Sequence, residues 1–300
     1  MKVMVLAGGP DRERDVSLVS GGQVAAALRE AGHDVMERDM GPTDASALDA
    51  FGEWQGDVVF PVFHGKWGEG GGCQRALDAA GVRYVGCGAD AAARCMNKTE
   101  TKRRLMDLGL PTPEFEMLAN GSHPDFTGPV VLKPHDDGSS IDLAICHTAE
   151  DLAAAWADLA TRNEQLLVER FVEGPELTVG VIEDEDGEPI ALPTIRIVPA
   201  TAFYDYAAKY ERDDTQYRFD APPEVEGRLG ALAVAVFRGL GCRHLARVDV
   251  MLDGSGEPWV IEVNTMPGFT THSLLPMAAA RAGLAMPALV DRLVRRAASG

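Results

Sequence analysis

Basic residues are scarce in this chain. Its 300 residues include 28 Lys and Arg against 46 Asp and Glu, which gives a formal net charge of −18. Nucleic-acid binding needs a basic stripe on the surface, and the one basic cluster is Arg292, Arg295 and Arg296 near the C-terminus. We therefore expect no nucleic-acid partner, although a small phosphorylated ligand can still bind through a few local lysines and metal ions.

Long apolar runs and patterned cysteines are also missing. The apolar run at Met1–Ala7 is too short for a signal peptide, and no later run approaches a membrane span. We therefore expect a cytoplasmic protein with no membrane partner. The five cysteines are odd in number and show no metal-type spacing, which predicts buried, reduced thiols: Cys73, Cys87, Cys95, Cys146 and Cys242.

The first part of the chain, residues 1–97, has the pattern of an open α/β sheet. A buried strand at Val3–Ala7 is followed by a helical stripe at Val16–Ala31 and a second strand at His33–Arg38. Another buried strand, Val58–Phe63, ends at His64 and a glycine-rich loop. Ligands gather beyond the carboxyl ends of such strands, although a single strand-end histidine is more often structural.

Two further segments follow, with boundaries predicted near residues 97 and 180. Residues 98–180 open with a helix at Lys98–Leu108 and an extended linker at Pro111–Pro113. A small α+β layer is then predicted from strands at Val130–Lys133 and Leu166–Arg170 with a helix at Ala149–Ala160. Residues 181–300 complete the chain.

Regular patterning is lost between Ile197 and Pro223, within the third segment. This stretch holds four of the five tyrosines and the single lysine Lys209. Long loops in compact domains are commonly lids or binding loops. The alternative is a mobile surface excursion.

The stretch Arg247–Asn264 carries the strongest chemical signal. Its apolar positions alternate, and Asp253–Gly256 supplies turn residues, so it predicts a β-hairpin. Alternation places Asp249, Glu262 and Asn264 near one point. Two carboxylates and an amide oxygen suit Mg²⁺ completed by phosphates and water, and the alternative is a solvated charged face.

Other residues suit a nucleotide phosphate, each weakly by itself. Lys98 and Lys133 stand at element ends, where a lysine can bind phosphate oxygens, although a single surface lysine is usually solvated. The loop at residues 137–141 offers a glycine and two hydroxyls. The strand that breaks at Gly174-Pro175 could face a purine edge or simply connect two domains.

The joint order of these segments resembles the D-alanine:D-alanine ligases, a family of ATP-grasp enzymes, across essentially the whole chain. The matching motifs are Glu13-Arg-Asp-Val-Ser, Phe63-His-Gly, Met96-Asn-Lys, Leu132-Lys-Pro, Gly138-Ser-Ser, Glu169-Arg-Phe-Val-Glu-Gly-Pro-Glu, Phe203-Tyr-Asp-Tyr, Lys209-Tyr, Arg247-Val-Asp, Glu262-Val-Asn and His272-Ser-Leu. The resemblance implies three ATP-grasp domains: an N-terminal substrate domain at 1–97, a central domain at 98–180, and a C-terminal domain at 181–300 with the metal site and a lid at about 197–223.

The resemblance also implies a reaction and its cofactors. ATP phosphorylates one D-alanine, and the amine of a second D-alanine attacks the acylphosphate to give D-alanyl-D-alanine for peptidoglycan synthesis. Two Mg²⁺ ions assist, Mn²⁺ can substitute for them, and the enzyme is expected to be a homodimer.

Residue roles follow by the same resemblance. ATP is expected to contact Lys98, Lys133, Glu169, Val172, Glu176 and Lys209, and the metal ions to bind Asp249, Glu262 and Asn264. The first substrate is expected near Glu13 and His64, with Ser139 and Tyr210 joining Glu13 in a network that holds the lid. Arg247 and the N–H of Gly268 would bind the developing oxyanion, and Ser273 with the Leu274 backbone would bind the second carboxylate.

The chain departs from the family pattern in its phosphate loop. Asp142 stands where glycine is usual, and Asp136 and Asp137 precede the loop. Extra carboxylates would repel a triphosphate, so either the loop closes differently or ATP binds more weakly. Two alternative functions stay open: a different second substrate, such as D-lactate or D-serine, or a nucleotide-binding module without catalysis.

Overall fold

The computed structural model describes residues 1–44, 46–119, 128–138, 142–200, 212 and 214–299. Within these residues the fold combines helices with three separate sheets. The expected mixture of an open α/β sheet and α+β layers is confirmed.

The first sheet is parallel, with strand order β2-β1-β3. It contains β1 (Lys2–Ala7), β2 (Asp34–Asp39) and β3 (Val58–Pro61). Helix α1 (Arg14–Glu30) connects the first two strands, and α2 (Ser46–Trp54) precedes the third. The predicted strand-helix-strand opening is confirmed, and the carboxyl ends of β1 and β3 lie at one edge, as ligand-binding sheets require.

The glycine-rich stretch after His64 was expected to be a loop, and that expectation is wrong. It forms two short helices, α3 (Gly65–Glu69) and α4 (Gly72–Ala79). The Gln74 side chain links them, since its Oε1 accepts from Gly71 N at 3.1 Å and its Nε2 donates to Gly68 O at 3.0 Å. Gly71, with φ of 96°, provides the left-handed turn between the helices. Helix α5 (Ala89–Met96) follows.

The second sheet is antiparallel, with order β4-β7-β5-β6. Its elements and neighbouring helices are α6 (Lys98–Asp107), β4 (Phe115–Ala119), β5 (Val130–Pro134), β6 (Ala144–Cys146), α7 (Ala149–Leu159) and β7 (Gln165–Arg170). Helix α7 packs on this sheet through Leu159 and Trp156. The predicted β5, α7 and β7 are confirmed, whereas β4 and β6 had no clear sequence pattern.

The third sheet has order β11-β10-β8-β12-β13, with β9 paired to β8. Its elements are β8 (Glu176–Glu183), β9 (Pro189–Ala191), β10 (Ile195–Val198), β11 (Gln216–Arg218), α8 (Pro223–Leu240), β12 (Leu245–Leu252) and β13 (Pro258–Asn264). The expected loss of regularity from Ile197 onward is wrong at both ends, because β10 and β11 pair there. The rest of the predicted lid, 201–211 and 213, lies outside the described residues.

The last two helices, α9 (Leu274–Arg281) and α10 (Met286–Ser299), share a core with the first sheet. That core includes Val3 and Leu28 together with Leu293 and Val294. Residue 180, the predicted limit of the central segment, lies inside β8. The domain limits themselves stay predictions.

The cysteines are all free and buried, which confirms buried, reduced thiols. Among the described helices, none is by itself long and apolar enough to cross a membrane. Leu274–Arg281 and Met286–Ser299 meet that test only together, and they are bent by 104°.

Candidate active site

The β12–β13 hairpin brings the three predicted metal ligands together. Asp249 pairs with Glu262 across the strands, and Arg247 pairs with Asn264. The turn is the predicted one, because Gly256 N donates to Asp253 O at 2.8 Å. A register shift after Asp249 marks an irregularity that adjusts the direction of the side chains there.

Asp249 is the buried centre of this cluster. Its Oδ1 accepts from Arg247 Nε at 2.9 Å and from Thr178 Oγ1 at 2.5 Å. Its Oδ2 accepts from Arg247 Nη2 at 2.8 Å and from Asn264 Nδ2 at 3.0 Å. The two bonds from the guanidinium fix Arg247, and the amide contact fixes Asn264 with its oxygen directed away from Asp249.

A first cavity lies between the second and third sheets. It is lined by five of the residues expected to contact ATP: Lys98, Lys133, Glu169, Val172 and Glu176. Apolar side chains from both sheets form its walls, among them Val131, Ile145, Met251 and Ile261. A mainly apolar cavity that also contains lysines fits a purine nucleotide.

The lysines of this cavity are held by carboxylates. Lys133 Nζ donates to Glu169 Oε1, and Lys102 Nζ lies 2.7 Å from Glu169 Oε2. Lys98 Nζ lies 3.2 Å from Glu262 Oε1 and donates to the Asp137 carbonyl. Lys98 therefore links Asp137, the first residue of the predicted phosphate loop at 137–141, to the predicted metal ligand Glu262.

A second cavity of about 580 Å³ adjoins the first, and Glu262 lines both. Its volume is within the range of small-molecule sites, about 300–1,000 Å³. It is lined by most of the residues expected to contact the amino acids: Glu13, His64, Arg247, Gly268, Ser273 and Leu274. Asn264 also lines it.

Helix ends position the polar groups of the second cavity. Glu13 stands at the N-terminal boundary of α1 and His64 at that of α3. The His64 Nε2 atom is buried and has no hydrogen-bond partner among the described residues. Burial lowers the pKa of His64 against the opposing charge of Glu13, so the ring is neutral and one nitrogen is left to face a ligand.

Glu69 is a lining residue of this cavity that had no predicted role. Its Oε1 accepts from Gly65 N at 3.2 Å. Burial, followed by the negative charge of Glu13, raises the pKa of Glu69 to about 8. The cavity therefore contains a carboxyl group that keeps its proton at neutral pH.

The far wall of the second cavity suits a carboxylate. Ser273 precedes α9 but does not cap it with its side chain, and its Oγ lies 2.9 Å from both Thr270 N and Thr270 Oγ1. Leu274 is the first residue of α9, where backbone N–H groups lack helical partners. A Cβ on Gly268 would lie 2.7 Å from Ser273 Oγ, so glycine keeps this wall open.

Two of the three acidic residues at the predicted phosphate loop, residues 137–141, are paired with cations. Asp136 pairs with Lys66, and Asp142 lies 3.1 Å from Arg162. Both carboxylates line a neighbouring cavity. Asp137 lines that cavity and also the first cavity, which is the proposed nucleotide cavity. Asp142 has the φ of 56° that would suit a glycine, and its ion pair holds the charge towards α7.

Part of the predicted site lies outside the described residues, namely Ser139, Lys209 and Tyr210. Ser139 directly follows Gly138, which is described, and a Cβ on Gly138 would lie 3.9 Å from Glu13 Oε2. Glu13 therefore lies beside the residue that precedes Ser139.

The donor set of the hairpin fits magnesium. Among the described residues no three His, Cys, Asp or Glu side chains form a metal-binding group, and this cluster has two carboxylates and one amide. Mg²⁺ commonly takes one or two carboxylates and completes its octahedron with phosphate oxygens and water. The position of Glu262 between the two cavities supplies the place for such phosphates.

The fold and the paired cavities define an ATP-dependent ligase of the ATP-grasp class. The family model described as "D-ala D-ala ligase C-terminus" matches residues 105–295. A D-alanine–D-alanine ligase of Marinobacter nauticus is 43% identical over 98% of this chain and 90% of its own length. D-alanine–D-alanine ligase B of Chromobacterium violaceum is 44% identical over 95% and 93%. The chain belongs to the D-alanine–D-alanine ligase family.

Solved structures agree with this assignment. The D-alanine–D-alanine ligase from Bacillus anthracis complexed with ATP superposes with a TM-score of 0.84 at 27% identity, covering 99% of this chain and 97% of that one. The ligase from Coxiella burnetii gives 0.84 at 23% identity, over 100% and 94%, and supports the fold.

Proposed function

We propose that this chain joins two D-alanine molecules at the expense of ATP and supplies D-alanyl-D-alanine for peptidoglycan precursor synthesis. One observation carries the proposal: the cavity with the expected nucleotide residues and the cavity with the expected amino-acid residues meet at Glu262. A phosphoryl group in the first cavity can therefore reach a carboxylate in the second.

The reaction needs two transfers. A carboxylate is a poor electrophile, so the γ-phosphoryl group of ATP is transferred to one carboxylate oxygen of the first D-alanine, and ADP leaves. The deprotonated amine of the second D-alanine then attacks the acyl carbon. The tetrahedral intermediate expels inorganic phosphate and leaves the new amide bond.

The nucleotide residues act by charge and by shape. Lys98 and Lys133 bind phosphate oxygens, and Lys209 adds a third cation from the lid. Glu169, Val172 and Glu176 contact the adenine and the ribose. Their shared lining of one mainly apolar cavity supports these roles for the five described residues.

Asp249, Glu262 and Asn264 would hold two Mg²⁺ ions, or Mn²⁺ in their place. Metal ions held there would supply the positive charge that offsets the negative charge developing during transfer. The cross-strand pairing of Asp249 with Glu262 and the contact between Asn264 and Asp249 support a shared site.

The second cavity orients the amino acids. Glu13 binds the first ammonium group, in a network with Ser139 and Tyr210, and His64 lies against the same substrate. Ser273 and the Leu274 N–H bind the second carboxylate. Arg247, fixed by Asp249, and the Gly268 N–H stabilise the oxyanion, where losing one donor typically costs about 3–4 kcal/mol.

We also propose that the enzyme works in the cytoplasm as a homodimer, without a membrane or nucleic-acid partner. The dimer is inferred from the family, and light scattering of the purified chain tests it. A single species with the mass of one chain would contradict it.

Phosphate release tests the activity. With ATP, Mg²⁺ and D-alanine we expect phosphate and D-alanyl-D-alanine in equal amounts, and omission of D-alanine is the control. Release no higher than in that control would rule out the ligase function. Replacing the second D-alanine by D-lactate or D-serine at two pH values defines the nucleophile.

A further inference from the structure

A buried lysine lies behind the nucleotide cavity. Lys102 is on α6, one turn after Lys98, and only 1% of its surface is exposed. It is not among the residues that line the nucleotide cavity. Lys102 therefore does not contact a nucleotide bound in this cavity.

The ammonium group of Lys102 is anchored to the linker between α6 and β4, and this linker is bound in turn to the third sheet. Nζ donates to Thr112 Oγ1 at 2.8 Å and to Pro113 O at 3.3 Å. Thr112 Oγ1 in turn donates to Val260 O at 2.9 Å. The contacts with Thr112 and Pro113 fix the position of this buried charge.

Glu169 lies between Lys102 and Lys133. Its Oε1 accepts a hydrogen bond from Lys133 Nζ. Its Oε2 lies 2.7 Å from Lys102 Nζ, and this contact is an ion pair without hydrogen-bond geometry. Burial alone would raise the pKa of Glu169, but the two lysines outweigh burial, and the pKa is lowered. The carboxylate is therefore ionised. Burial lowers the pKa of Lys102 to about 8, so Lys102 is still largely protonated at pH 7, and the three groups then carry a formal net charge of about +1.

The net positive charge of Lys102, Glu169 and Lys133 can attract a negatively charged phosphate. With Lys102 removed, Glu169 and Lys133 would form a neutral buried pair. The Lys133 ammonium group would then stay bound to Glu169 and would be less available to a phosphate. With Lys102 present, the carboxylate is shared between two cations, so Lys133 can turn towards a phosphate without leaving Glu169 unpaired. Interactions in such a dry site are strong, because water screens them little.

We propose that Lys102 is a positioning residue of the nucleotide site, which takes up the charge of Glu169 from behind and so leaves Lys133 available to the phosphates of ATP. This inference rests on the proposed ATP-dependent function. It assigns a role to a lysine that touches neither substrate nor metal.

Direct binding measurements on the full chain test the proposal, because they do not depend on ligation. Calorimetry with ATP and with adenosine would compare the wild type with Lys102→Met, which keeps an unbranched side chain only one atom shorter and removes its charge. We expect ATP binding to weaken about tenfold or more, while adenosine binding changes by less than about threefold, since adenosine has no phosphate. Arg103→Met, an exposed neighbour on α6, is the matched control and should bind both ligands as the wild type does.

A second variant separates charge from packing. Lys102→Met combined with Glu169→Gln removes both buried charges and leaves Lys133 alone. Because Glu169 is also proposed to contact the nucleoside part of ATP, the measure is the ratio of ATP affinity to adenosine affinity, which should recover relative to Lys102→Met. Equal weakening of ATP and adenosine by Lys102→Met would overturn the proposal, and so would a double variant whose ratio of ATP affinity to adenosine affinity is no higher than that of Lys102→Met. If Lys102→Met does not fold, Lys102→Gln, which can still donate to Thr112, replaces it in both comparisons.

A wild-type chain that binds no ATP would instead contradict the proposed function. Wild-type binding with an unaffected Lys102→Met would contradict only the role of Lys102.

Discussion

Glu262 has two neighbours that make its charge important. It pairs with Asp249 across the hairpin, and Lys98 Nζ lies 3.2 Å from its Oε1. Glu262→Gln keeps the volume and removes the charge, so we expect turnover to fall at least about a hundredfold, as for the loss of other strong electrostatic contacts in transfer reactions. Phosphate release at saturating Mg²⁺ measures the loss.

Folding of Glu262→Gln is the check on this prediction. The side chain is partly exposed, so the melting temperature should change little. A fall in thermal stability that parallels the loss of turnover would indicate a structural role for Glu262.

Glu69 predicts a dependence of stability on pH. Its pKa is raised by burial, and then by Glu13, from 4.5 to about 8. The unfolded chain loses this proton near pH 4.5, whereas the folded chain keeps it until about pH 8. The stability that Glu69 contributes is therefore complete below pH 4.5 and is lost as pH rises towards 8.

Thermal unfolding of the metal-free protein between pH 5 and 8 measures this effect. The melting temperature of the wild type should fall relative to Glu69→Gln, which has no proton to lose. Glu53→Gln, at an exposed position, should follow the wild type. Parallel curves for the wild type and Glu69→Gln would show that the Glu69 proton is not held by the fold.

At this scale, local patterns identified some residues and not others. Asp249, Glu262 and Asn264 could be predicted as neighbours, because strand alternation and a recognisable turn decide which side chains meet. Lys102 has the i, i+4 spacing to Lys98, which was a signal that they share a helix face. Its pairing with Glu169 depends on burial against a distant strand, which local spacing does not contain.

Among the elements, the N-termini of α9 and α7 differ in whether a side chain caps the helix. Ser273 occupies the cap position, yet its hydroxyl contacts Thr270 rather than the helix. Thr148 does cap α7, because its Oγ1 accepts from Asp151 N at 3.1 Å. The Thr148 hydroxyl therefore caps its helix, whereas the Ser273 hydroxyl, at the equivalent position of α9, does not.

Ser273→Ala should raise the KM for the second D-alanine about tenfold or more, because a hydrogen bond to a charged carboxylate is lost. Its stability should change less than that of Thr148→Ala, which loses a cap worth about 1 kcal/mol and should leave the KM unchanged. Kinetics with varied D-alanine and thermal unfolding of both variants measure the contrast. The reverse pattern would mean that Ser273 serves the helix and not the substrate.

Elements with regular periodicity were predictable, and those held by distant side chains were not. The hairpin, α1 and α7 have alternation or helical stripes in their own residues. Helix α3 has no such stripe, and its first turn depends on Asp11, whose Oδ2 accepts from Trp67 N at 3.1 Å and Gly68 N at 3.2 Å. Glycines alone predict a loop, so this helix could be recognised only from its long-range contacts.

Across the whole molecule, residues that are far apart in the chain meet in shared cores and direct hydrogen bonds. Arg243 Nε donates to Gly86 O at 2.8 Å, and His244 Nδ1 accepts from Gly86 N at 3.0 Å, so the third sheet is joined directly to the N-terminal part. Sequence patterns predicted the fold class but could not show this joining, because it links residues 158 positions apart.

Helix α10 gives the last prediction. Leu293 is fully buried in the core that also contains Val3, Val5 and Leu28 of the first sheet and α1. The N-terminal sheet is thus completed by the C-terminal end of the chain. Leu293→Ala should lower the free energy of unfolding by about 2–5 kcal/mol, and unfolding should stay a single transition.

Denaturant unfolding followed by circular dichroism and by tryptophan fluorescence measures both expectations. Leu18→Ala, at an exposed position on α1, should change the stability by less than about 0.5 kcal/mol. If the Leu293 variant instead showed an early transition involving only part of the signal, the N-terminal sheet and α10 would unfold as a unit separate from the nucleotide site. A single shifted transition would mean that substrate and nucleotide cavities are held by one cooperative structure, as a reaction shared between them requires.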